Sequence, residues 1–321
     1  MKETSMSSRP FLAPALLLLA LAACQTAGMG RVSPQERIAA EEFARDALAA
    51  EQSLDPATLP ERTVGVTPLS ITTSDSALRS LGYGLADLLM TDLARSAQIQ
   101  VVDRLRLDAL LRELQFVQAS RNVDSTTAPR VGGLLGARRL VVGSVTHTPG
   151  GDLRIDARIA NAATSEIRPA VFATATLDDI LRAEKELAFH LFDQLGVILT
   201  PAERAAVDQR ATQNLAALLA YSRGVRYEVE GRFDQAAGEF QSAVQLDPGF
   251  SMARMRLTAA RSLAAPLRAA PIARVAAAAA ERVNQALIPT TSTGARPGTP
   301  GDPTFAQTYT VTVIVTITTP P

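Results

Sequence analysis

The stretch LVVGSVTHTPGGDLRIDARIA, Leu140 to Ala160, decides the fold. Leu140 to Thr146 is a mostly apolar run rich in valine and reads as a central strand buried on both faces. Pro149-Gly150-Gly151 is a turn signal. Beyond it Leu153, Ile155, Ala157 and Ile159 alternate with Arg154, Asp156 and Arg158. That is period two, with one face buried and one wet. A doubly buried strand joined by a short turn to a half-wet one places both in a mixed sheet.

The pattern continues upstream. Thr63 to Leu69 alternates as a strand, and Ser74-Asp75-Ser76 opens a helix whose Leu78, Leu81, Leu85, Leu88, Leu89 and Leu93 form one apolar stripe. Ile99 to Asp103 is a short strand, Leu107, Leu110, Leu111 and Leu114 mark a second amphipathic helix, and Pro129 to Gly136 a shorter one. Downstream, Asn161 to Ser165 turns, Ile167 to Thr176 is a strand, and Leu177 to Leu195 returns to helical spacing. The order β-α-β-α-(α)-β-β-β-α predicts an α/β sandwich over 62–199, with a mixed sheet and helices on one face.

Both flanks are helical or low in complexity. In 24–61, a tether leads to a helix that Ser33 caps, with Glu36 three residues on, running to about Gln52. Its apolar positions are mostly alanine, and Pro56 and Pro60 end it. In 200–265, Thr200-Pro201-Ala202-Glu203 has the proline and the capping box of a helix start. Gly224, Tyr227, Gly231, Phe233, Ala236, Phe240, Ala243 and Pro248 then fall at the spacings of one tetratricopeptide repeat, about 217–250. Small residues stand where two antiparallel helices meet, Tyr227 and Phe240 fill beside them, Gly231 turns the chain and Pro248 stops it. Ser251 to Leu263 has the makings of one more helix. A single repeat cannot bury its own apolar face, so it either braces the α/β domain or holds a peptide along its first helix, Leu215 to Glu230. Residues 266–321 comprise an alanine-rich helix, a linker of proline, glycine and threonine, and the β-branched run Thr308 to Thr318, a strand in need of a sheet edge.

The N-terminus is a targeting segment. Lys2 and Arg9 precede Phe11 to Ala23, 13 apolar residues broken only by Pro14, too short for a spanning helix of about 20. The run ends in Leu21-Ala22-Ala23-Cys24, and Cys24 is the sole cysteine. This is similar to the bacterial lipobox, in which the thiol takes a diacylglyceryl group before cleavage. Residues 1–23 are therefore expected to be a lipoprotein signal peptide, and Cys24 the lipidation site and membrane anchor. Gln25, where an aspartate would signal inner-membrane retention, favours the outer membrane.

Thr63 to about Ile167 resembles the CsgG-like family, the curli production assembly/transport components. The resemblance rests on Val64-Gly65-Val66, Gly84-Leu85-Ala86-Asp87-Leu88-Leu89, Gln100-Val101-Val102-Asp103-Arg104, Leu110-Leu111-Arg112-Glu113, Leu135-Gly136-Ala137 and Leu140-Val141-Val142-Gly143-Ser144-Val145, in that order and spacing. It implies a CsgG-like α/β sandwich in an outer-membrane lipoprotein that faces the periplasm and associates with its own copies. A ring-forming member inserts β-hairpins into the membrane. Here Leu69 to Ala77 is too short for the two strands of about 9–11 residues that a hairpin requires. Similar domains without a pore occur in small lipoproteins that regulate cell-wall synthases or support flagella.

Composition bounds the remaining classes. Acidic and basic residues balance at 32 each, aromatics are 4% and tryptophan is absent, so neither a basic surface nor a stacking platform points to nucleic acid. The only histidines, His147 and His190, are far apart, and no three or four residues have the spacing of a metal site. Gly132-Gly133-Leu134-Leu135-Gly136 lacks the lysine of a phosphate loop and reads as helix–strand packing. Asp178 and Asp179 suit the first turn of a helix. Arg138-Arg139 is a strand entry or a contact surface. The sequence thus predicts a non-enzymatic envelope lipoprotein without cofactor or metal, acting in assembly or transport of surface or secreted components by self-association and periplasmic protein binding. The alternative is a monomeric periplasm-facing adaptor or regulator of a cell-envelope enzyme.

Overall fold

Strand β4 (Arg139–His147) is the axis of the molecule. The computed structural model describes residues 33–73, 75–115 and 123–264, which fall in the first of two compact units, Met1–Pro271. Residues 1–23, expected as a signal peptide, Cys24 and Thr308 to Thr318 lie outside the described residues. On one side β4 pairs in parallel with β1 (Thr63–Val66) and β2 (Ser70–Ile71), and on the other antiparallel with β5 (Leu153–Asn161). β3 (Gln100–Val101) flanks β1 in parallel, and β6 (Val171–Ala175) flanks β5 antiparallel. The sheet order is β3-β1-β4-β5-β6, with β2 alongside β4. The architecture is a mixed α/β sandwich, as the Leu140–Ala160 stretch predicts.

Thr63 to Leu69 is expected as one strand but is split. Pro68 has no amide hydrogen to give the ladder. Thr67 still donates its backbone N–H to the Val141 carbonyl at 3.0 Å, while the Leu69 N–H turns away to the Gly82 carbonyl at 3.1 Å. Pairing with β4 resumes at Ser70. The strand expected at Ile167 to Thr176 is shorter for the same reason: Pro169 separates a lone bridge at Ile167 from β6.

Helices cover both faces, not one. The chain moves from β1 through α2 (Leu81–Leu93) to β3 on one side, then returns through α3 (Arg104–Glu113) and α4 (Ala128–Leu135) to β4 on the other. Two right-handed crossovers in opposite directions must lie on opposite faces. α5 (Ile180–Leu195) joins α2, covering β5 and β6. α1 (Pro34–Ala49) lies on α3 and α4 through Ala40, Ala44 and Ala47, whose small side chains allow a close approach. Both predicted capping boxes form: Ser33 with Glu36, and Thr200 with Glu203 at the start of α6 (Pro201–Asp208).

α7 (Leu215–Val229) and α8 (Phe233–Leu246) make the helical pair on which the repeat signature falls. A Cβ on Gly224 would stand 2.5 Å from the Phe240 ring, so only glycine lets the helices come this near. Gly231 takes the left-handed turn at φ 75°. Ala236, Phe240 and Ala243 are fully buried, and Tyr221 packs between Phe240 and Phe250. A further helix, α9, spans 251–264. Replacing Ala236→Trp should overpack this pair and lower the unfolding free energy by about 1–3 kcal/mol or more in a denaturant titration; unchanged stability would contradict the packing.

Candidate functional site

The first helix of the pair, α7, is spent on the α/β body. Leu218, Ser222, Val225 and Val229 are buried, and Leu218 belongs to the core beneath the sheet helices. α7 runs along α2, and a Cβ on Gly84 would collide with Ser222. α2 is consequently buried almost all round, with Tyr83 and Thr91 alone half-buried, where its sequence predicts one apolar stripe. A peptide groove along Leu215 to Glu230 is therefore filled by α2, and the helices brace the α/β domain.

A buried ion network fastens this joint. Asp87, on α2 between leucines, receives Tyr221 Oη from α7, Arg256 Nη2 from α9 and Arg104 Nη1 from α3, the last at 3.0 Å. Arg104 Nε also donates to Asp108 at 2.9 Å, and Arg256 Nη1 to Glu228 at 3.0 Å. Burial alone would raise the Asp87 carboxyl, but Arg256 and Arg104 outweigh it and hold it below its usual value. Burial pushes the Glu228 carboxyl up to about 7, against the pull of Arg256. The Tyr221 hydroxyl is driven upward by burial and by the Asp87 charge. Sequence reasoning missed this network; its one signal is a charged residue inside the apolar run Gly84 to Leu89.

A second buried cluster joins α2 to α5. Lys185 Nζ donates to Asp92 at 2.5 Å and lies 3.4 Å from Glu184. Neither Glu184 oxygen has a hydrogen-bond partner among the described residues. One ammonium cannot balance two buried carboxylates. Burial, then the Asp92 charge, pushes Glu184 well above the carboxylate range, so it is held neutral.

The α4 face of the sheet remains open beyond α4. A groove of about 160 Å³ there is lined by Ser70, Asp124, Val142, Ser144, Asp156 and Arg158. Hydrogen bonds from Thr126 and Thr127 hold the Asp124 carboxyl at about 2. Phe172 on β6 is 48% exposed, and Arg154 stacks over its ring at 3.6 Å. β6 is an edge strand in the described sheet. This strip of charged, hydroxyl and aromatic side chains offers a surface for a protein partner.

The remaining candidates are dispersed. His147 ends β4 and His190 lies on α5, both exposed. Asp178 and Asp179 are exposed just ahead of α5. Gly132 packs toward Ala162 and Leu140, while Gly136 is the left-handed cap of α4. Among the described residues no group of three or more His, Cys, Asp or Glu is placed to hold a metal, and no helix is long and apolar enough to cross a membrane.

Residues 47–148 match the family model for the curli production assembly/transport component CsgG. The match spans β1 to β4 and includes Asp87, Arg104 and Asp108 of the network. No curated protein matches the chain. Among solved structures, the LpoB C-terminal domain from Escherichia coli is 13% identical, with 42% of this chain and 94% of that one covered at a TM-score of 0.30. Lipoprotein GNA1162 from Neisseria meningitidis is 14% identical over 43% and 99%, at a TM-score of 0.28.

Two variants test the clusters. Asp87→Ala takes one of two counter-charges from both Arg104 and Arg256 and should cost about 3 kcal/mol of stability, read as a lowered urea midpoint. Glu184 has a folded pKa above its unfolded one, so its contribution is fully present below about pH 4.5 and is lost as pH rises through the folded value, at up to about 1.4 kcal/mol per pH unit. Glu184→Gln should match the parent at pH 4 and exceed it in thermal midpoint at pH 8. Equal midpoints at pH 8 would mean that Glu184 is not held neutral.

Proposed function

We propose that the chain is a protein of the bacterial cell envelope, anchored by acyl groups on Cys24, that acts by binding other proteins rather than by catalysis. Its task in this reading is the assembly or transport of surface or secreted components at the periplasmic side of the outer membrane, through association of its own copies. The observation that carries the reading is the match of residues 47–148 to a curli production assembly/transport component. The lipobox-like Leu21 to Cys24 supports the anchor. The open strip from Ser144 to Phe172 gives the α/β body a surface on which a partner can dock. Residues 62–199 are then the partner-facing domain, and 200–265 a helical brace carrying the one repeat.

A second reading is a monomeric periplasm-facing adaptor or regulator of a cell-envelope enzyme. It is favoured by the burial of α7 on α2, which consumes inside one molecule a helix face that could have joined another.

Light scattering of the acylated protein, extracted in mild detergent and run on a sizing column, separates the two. A discrete assembly of several copies is the expected result; a monomer would move the function to the adaptor. Cys24→Ala should release the protein from the membrane fraction or leave it uncleaved. If that variant keeps its mature size and stays with membranes through a high-salt wash, the anchor is wrong.

A further inference from the structure

Four arginines gather at the end of the sheet where β1 and β4 begin. Arg62 precedes β1, Arg138 and Arg139 open β4, and Arg168 stands between β5 and β6. Their hydrogen bonds go to neutral groups. Arg62 donates to the Gln98 side-chain oxygen at 3.2 Å, and Arg138 to the Pro56 and Ala57 carbonyls at 3.0 and 2.8 Å. Arg139 donates to the Leu195 carbonyl at 3.4 Å, and Arg168 to that of Gln194. These last two carbonyls close the C-terminus of α5, an end that favours cations.

Helix capping accounts for the positions of two arginines but leaves four positive charges against one acid. Among the described residues their ion pairs go to Glu61 alone, 3.5 Å from Arg138 and 3.7 Å from Arg139; the Glu61 side chain is 72% exposed, those of Arg138 and Arg139 only 13% and 17%. Burial, then Arg168, pushes the Arg139 guanidinium below its usual value; Arg138 and Arg62 add to this and Glu61 opposes it. The acid at the neighbouring helix start, Glu203, is taken up by its capping box and the Ala97 amide.

An apolar tip adjoins the cluster. Gln98, which accepts from Arg62, donates its own amide to the Ile198 carbonyl at 2.9 Å. The Ile198 side chain is 85% exposed, the most of any large hydrophobic among the described residues. A lone bare aliphatic side chain beside cations lacks the apolar core of a protein interface. It suits a bilayer surface, where cations meet lipid phosphates and one apolar side chain enters the headgroup layer.

We infer that the face where Arg62 and Ile198 stand exposed, over the partly buried positive charges of Arg138, Arg139 and Arg168, docks on an anionic lipid bilayer. The inference rests on the anchor at Cys24. The nine residues from there to Ser33 span at most about 30 Å. α1, with 16 residues, is about 24 Å long. The tether thus reaches the end of α1 from which the chain passes to Pro56, Ala57 and the arginine cluster. Docking there turns a protein swinging on a leash into one held in a fixed orientation.

The test uses the full acylated chain with Ile198→Cys carrying a polarity-sensitive thiol fluorophore, the Cys24 thiol being consumed by lipid. It is placed on vesicles of phosphatidylcholine alone, or with about a quarter phosphatidylglycerol. The emission should shift to the blue on the anionic vesicles only, and revert in about 0.5 M salt. Arg62→Glu should cut the docked fraction about fivefold or more, and Arg62→Lys restore it. The same label on Met255→Cys, on α9, should not respond. An acylated chain that binds both vesicles with no shift at residue 198 overturns the docking face alone. A chain whose mass carries no acyl groups removes the anchor, and the docking face with it.

Discussion

The joint between the sheet and the helical region is fixed by the carboxylate of Asp87, which takes partners from three helices. Asp87 sits on the helix that faces the sheet on one side and the repeat on the other, with no water to solvate it. A bare charge there would be prohibitive, and three helices answer it: α3 with Arg104, α7 with Tyr221 and α9 with Arg256. Each partner is useless without the others, because a buried guanidinium needs its own counter-charges, which Asp108 and Glu228 provide. The geometry of the joint between sheet and helical region is thereby specified by charge, while the apolar contacts around it supply the burial.

Such a network contributes little to net stability compared with well-packed hydrophobic residues, since desolvation offsets most of its attraction. What it adds is selectivity of packing. α2 and α7 come closest at Gly84 and Ser222, where an added Cβ would collide, so packing already opposes a helix sliding by a turn. A slide would carry Asp87 away from Tyr221 and Arg256 and leave three polar groups unpaired. The Asp92–Glu184–Lys185 cluster pins α5 to α2 in the same way, holding one carboxyl neutral because a single lysine serves two acids.

The elements were largely legible from periodicity, because the strands alternate and the capping boxes are local. Thr63 to Leu69 misled at Pro68, where a missing donor breaks the ladder inside an otherwise good strand pattern. The placement of helices on one face failed for another reason: strand order is not encoded in any local period, and only the reversal at β1 sends α3 and α4 to the far side. The repeat signature located α7 and α8 but not what covers α7. That depends on Gly84 and Ser222, small residues 138 positions apart whose meeting no spacing rule foresees. Of the open strip only Asp156 and its neighbours Arg154 and Arg158 read as a wet face; Ser144 falls in a stretch that reads as buried on both faces yet is half-buried, and the groove is not legible because Ser70 on β2 and Asp124 ahead of α4 come to it from far along the chain.

The Asp87–Tyr221 and Asp87–Arg256 contacts span 134 and 169 residues of chain. Contacts this remote form late, because a long loop must close before they reward it. A chain that emerges from its N-terminus during synthesis exposes α2 well before residues 215–256 have emerged. Through that interval its outer face, charge included, is bare to solvent, and the sheet can assemble beneath it without committing the helix to its final lodging. The last helix to arrive is therefore the one that completes the contacts of Asp87, which a chain interrupted before Arg256 would leave with Arg104 and Tyr221 alone.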